Sequence, residues 1–151
     1  MPLEKRTQAA AAFWRDDQGA EQQAEAVALL ARRLKFRTKS IQALAIDRRA
    51  RFLAQVADVS DALASRALVA YHFENARPLM AAFLDALGIA HEDGLITHEE
   101  VAAPESAKLA EAVQAVRNAF PPEDVDLYLR TLVALDSDTW TGLDALVPAS
   151  A

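Results

Sequence analysis

Apolar residues recur at helical spacing along almost the whole chain. Between Ala20 and Phe36, Ala24, Val27, Ala28, Ala31 and Leu34 return at intervals of three and four, the signature of an amphipathic helix with one buried face. A second row, Ile46, Ala50, Leu53 and Ala57, begins near Asp47. The stretch from Ser40 to Ala57 therefore reads as helical with a break at that point, and Asp47 as the cap of its second part. Ser60 is placed to cap ALASRALVAYHF, which is apolar on nearly every side with Arg66 as its only charge. PLMAAFLDAL follows, with Pro78 in its first turn and Gly88 at its end, the asymmetry expected of helix termini. These two helices, about residues 61 to 88, predict a central apolar hairpin.

The flanks are less regular. Residues 3 to 15 predict a short helix whose stripe is mostly alanine apart from Phe13 and Trp14, so residues 1 to 18 are expected to fray. Asp93-Gly94 marks a turn ahead of the strand-like Leu95-Ile96, in a loop that Pro104 closes. Leu109, Val113, Val116 and Phe120 outline another amphipathic helix; Pro121 and Pro122 interrupt the pattern, which resumes from Leu127 to Leu135. A last short helix around Thr139 to Leu146 returns Trp140 to the core.

Composition agrees with this pattern. Glycine occurs 4 times and proline 6 times in 151 residues, while alanine and leucine, which lose little side-chain entropy in a helix, are abundant. The expected fold is all-α: a single compact domain, residues 1–151, built as a bundle of about six to seven helices around that hairpin. Cysteine is absent, which excludes disulfides, thiolate metal sites and a cysteine nucleophile. The initial alanine run is followed at once by Arg15, Asp16 and Asp17, unlike a secretory leader, and no apolar run approaches the ~18 residues of a membrane span. A cytoplasmic location with no membrane association is the expectation.

Charge changes the picture most. Eight of the sixteen lysines and arginines, Arg32, Arg33, Lys35, Arg37, Lys39, Arg48, Arg49 and Arg51, fall within twenty residues opposed only by Asp47, although the net charge is -6. Residues 1 to 84 carry 13 cations and 9 acids, residues 85 to 151 carry 3 and 13. Arg32, Arg33 and Lys35 end a helix that opens among acids, which suits its dipole. Arg48 and Arg49, placed in a first turn, oppose theirs and call for a counterpart. That counterpart is the chain's own acidic part, a second subunit, an acidic protein or a nucleic acid, the last disfavoured by the acidic overall balance. The functional expectation is a non-catalytic interaction or regulatory module that self-associates, as a homo-oligomer, or docks an acidic partner through residues 32 to 51.

Two other groups carry chemistry. YHFENARP sets Tyr71, His72, Glu74 and Arg77 at the hairpin junction, where a histidine beside a carboxylate can serve as a base and an arginine can hold an anion. A small ligand-binding protein or enzyme is the alternative they support, against the reading that they satisfy helix ends. IAHEDGLITHEE resembles the second half of the EF-hand calcium loop, with Gly94 at the sixth position, Ile96 at the eighth and Glu100 at the twelfth. That resemblance implies calcium coordinated through Glu100, but Ile89 and His91 occupy the first and third positions, where calcium needs hard oxygen donors. His91 and His98 with the nearby acids are donors suited to a transition metal, at a spacing that matches no established motif. The segment is therefore read as a turn, with no metal or other cofactor assigned.

Overall fold

The computed structural model describes residues 1–148. Among them are eight α-helices and one two-stranded hairpin, so the all-α expectation holds with more helices than the spacing suggests. The chain divides into two compact units, Met1–Glu74 and Asn75–Ala151. The division falls between the two helices of the predicted hairpin.

The first unit contains α1 (Leu3–Arg15), α2 (Ala20–Leu34), α3 (Thr38–Gln42), α4 (Ile46–Ala54) and most of α5 (Asp61–Asn75). Instead of fraying, α1 makes the most extensive helix pairing of this unit, against α4. Its alanines are the reason: Ala9, Ala10 and Ala12 are buried beside Phe13 and Trp14, and their small side chains let another helix approach. Phe13, Leu30 and Ile41 are fully buried in the resulting core, each contributing about 1.5–3 kcal/mol. Gln23 of α2 donates from Nε2 to the carbonyls of Phe13 and Asp16, both at 2.8 Å, satisfying acceptors that the end of α1 leaves open. Ser60 caps α5 through the Leu63 amide at 3.2 Å. However, α5 is not the central helix its composition predicts. Only Leu63, Ala70, Tyr71 and His72 are buried, and residues 64 to 69 are half-buried.

The second unit contains α6 (Arg77–Leu87), the hairpin β1 (His91–Glu92) and β2 (Leu95–Ile96), α7 (Ser106–Ala119) and α8 (Pro122–Leu135). Pro78 sits in the first turn of α6, and Gly88 ends it in the left-handed conformation at φ 70°. Phe83 of α6 meets Tyr128 of α8 edge to face, with ring centroids 5.7 Å apart, and lies 5.9 Å from Trp140. Trp140 precedes a 3-10 turn, Thr141–Leu143, rather than starting an α-helix. Asp93-Gly94 forms the hairpin turn with φ 50° and 89°, pairing His91 with Ile96 and Glu92 with Leu95. His91 holds this hairpin on α6: its Nδ1 accepts from the Gly94 amide at 3.1 Å, so Nε2 carries the hydrogen and donates to Asp85 at 2.7 Å.

Candidate functional site

The unit boundary nearly coincides with the charge boundary: residues 1–74 carry twelve cations and nine acids, residues 75–151 four and thirteen. Within the first unit the basic segment runs through the end of α2, a three-residue link, α3 and the start of α4. Helical geometry decides which cations reach water. In α4, Ala50, Leu53 and Ala54 form the buried row. Arg48 and Arg51, three apart, lie on the opposite side and are exposed. In α2, Arg32 lies across the helix from buried Val27, Leu30 and Ala31. Lys35, Arg37 and Lys39 are exposed on the link and the first turn of α3.

Two of the eight are engaged within the unit. Arg33 pairs with Asp58. Arg49 is half-buried, its guanidinium 4.9 Å from the centre of the Trp14 ring, a cation–π contact worth about 0.5–2 kcal/mol. Arg49 thus serves the α1–α4 contact. The side chains of Arg32, Lys35, Arg37, Lys39, Arg48 and Arg51 make no ion pair or hydrogen bond with any described residue.

Two of these six stand where the backbone disfavours them. Lys35 ends α2 in the left-handed region at φ 55°, a conformation costing a non-glycine residue about 1–2 kcal/mol. Arg48 is the third residue of α4, close to the positive end of the helix dipole, where a cation costs about 0.3–1 kcal/mol. Asp47 does not cap this helix as its position suggested; Ala45 occupies the cap without a side-chain bond, and Asp47 lies inside the first turn.

The junction residues have structural partners. Glu74 is held by Arg15 in a fork, with Nε at 3.0 Å and Nη2 at 2.6 Å. The Arg15 hydrogen bonds keep its carboxyl below the usual range, against the opposing effect of burial. Arg66 pairs with Asp16 at 2.6 Å, so two ion pairs tie α5 to the end of α1. His72 is buried, and its Nδ1–H donates to the Leu68 carbonyl one turn back in α5, at 2.7 Å. Tyr71 packs edge to face on His72, with centroids 5.3 Å apart. Arg77, in the second unit, bonds the Asp93 carbonyl at 3.1 Å. In the loop resembling a calcium site, Glu99, Glu100 and His98 are exposed. No three histidine or acidic side chains among the described residues form a metal-sized cluster.

Sequence reasoning missed Arg6, one of three cations on α1, which lines an apolar pocket of the first unit. No family model, curated protein or solved structure matches the chain. No helix of the described residues is long and apolar enough to cross a membrane.

Proposed function

We propose that this chain is a non-catalytic docking module that takes up an acidic protein surface on Arg32, Lys35, Arg37, Lys39, Arg48 and Arg51. The observation carrying this reading is that all six are exposed without an anionic partner among the described residues. Lys35 and Arg48 strengthen it, because both are cations retained at positions with a local cost, and locally unfavourable choices concentrate at functional sites. Separated charge of this kind raises encounter rates and fixes orientation more than it adds affinity, so a salt-sensitive and reversible complex is expected.

A fluorescent peptide rich in aspartate and glutamate, titrated by anisotropy, tests this directly. Binding at low salt that weakens steeply as salt rises supports the proposal. Tighter binding to duplex DNA of equal charge would transfer the surface to a nucleic-acid partner. Light scattering of the chain alone reads the remaining possibility, docking on the acidic part of a second copy. A mass that grows with concentration and falls with salt is its mark, whether the copies pair reciprocally or in chains.

A further inference from the structure

Where α1, α4 and α5 meet, the first unit has an open-mouthed cavity of about 230 Å³. Alanines at the helix contacts, among them Ala10, Ala64 and Ala67, leave this space between larger neighbours. Buried Ala10, Leu53 and Leu63 line its interior, while exposed Met1 and Ala57 place its mouth at the surface. An apolar cavity of about 150 Å³ already takes up benzene, so a hydrocarbon body fits here.

Twelve of the thirteen lining residues are apolar; the exception is Arg6. Arg6 is half-buried and is the one charged side chain of the lining. A guanidinium matches a carboxylate through two parallel hydrogen bonds. We infer that the cavity is a binding site for a small apolar carboxylate, with its hydrocarbon body among α1, α4 and α5 and its carboxylate on Arg6. This site is separate from the basic segment: none of the eight cations from Arg32 to Arg51 lines it.

The test uses the full chain with octanoate, 1-octanol and octylamine, followed by calorimetry and by backbone amide shifts. Saturable one-to-one uptake of octanoate is expected, with shifts centred on Ala10, Leu63 and Ala64. The alcohol and the amine should bind at least about tenfold more weakly, the factor that one lost charge-assisted hydrogen bond implies. Arg6→Gln should lose a similar factor for octanoate, and Arg48→Glu should lose none. Absence of saturable octanoate uptake, equal uptake of the alcohol, or shifts gathered on residues 32 to 51 would overturn the inference. The alcohol comparison needs no substitution and decides the question even if Arg6→Gln folds poorly.

Discussion

Arg48→Glu separates docking from folding, because the two should move in opposite directions. Arg48 is exposed at the third position of α4 and has no ionic partner among the described residues. Removing a cation from a helix N-terminus and adding an anion each gain about 0.3–1 kcal/mol. The new carboxylate also lies beside Asp47, a small repulsion, and three residues before Arg51, a small attraction of about 0.2–0.5 kcal/mol; these nearly cancel. The net expectation is a stability gain of about 1 kcal/mol, read as a higher urea midpoint by circular dichroism with unchanged slope. Affinity for an acidic peptide should fall at the same time. One exposed attraction is lost and one repulsion appears, each about 0.2–1 kcal/mol, giving a weakening of about fivefold. A variant that is both less stable and weaker in binding would show that Arg48 has a structural role. One that is more stable and binds equally well would remove it from the docking surface.

Further outcomes follow from the same geometry. Lys35→Gly should stabilise the chain by about 1 kcal/mol by relieving the left-handed backbone while weakening peptide binding, measured by the same pair of assays. Gly88→Ala and Gly94→Ala both force alanine to positive φ, but only at Gly94 would the added carbon lie 2.9 Å from the Met80 Cβ. Gly94→Ala should therefore cost more than the ~1–2 kcal/mol backbone penalty expected at Gly88, and equal urea midpoints would contradict the close approach. The Arg15–Glu74 pair lowers the folded pKa of Glu74. Its contribution is therefore present above the ordinary glutamate range and is lost as pH falls through the folded value. With side chains 47% and 37% exposed it amounts to at most ~1 kcal/mol, so Glu74→Gln should be slightly destabilising at neutral pH and neutral in acid. Phe13→Ala, at a fully buried position, should cost about 3–5 kcal/mol in the same denaturation experiment.

Local signals carried much of the fold. Pro78 and Gly88 bound α6, Ser60 caps α5 and Asp93-Gly94 turns the hairpin, because each depends on backbone preferences within a few residues. Features that depend on distant partners were not legible. The alanine face of α1 is weak as a hydrophobic pattern and is buried only because α4 packs against it; conversely, the nearly all-apolar α5 is left half-buried over its middle. The basic segment was visible as a charge count, and the buried row Ala50, Leu53 and Ala54 leaves Arg48 and Arg51 on the far side of α4. That Arg49 belongs to Trp14 and Arg33 to Asp58 required the tertiary fold. Arg6 gave no signal, since a cation on a helix is ordinary and only the surrounding cavity sets it apart from Lys5 and Arg15.

Docking on the six exposed cations is best read from backbone amide shifts of the isotope-labelled chain during titration with an acidic peptide. Perturbations concentrated between Arg32 and Arg51 that disappear at high salt are expected. Saturable shifts located elsewhere, or shifts indifferent to salt, would contradict it.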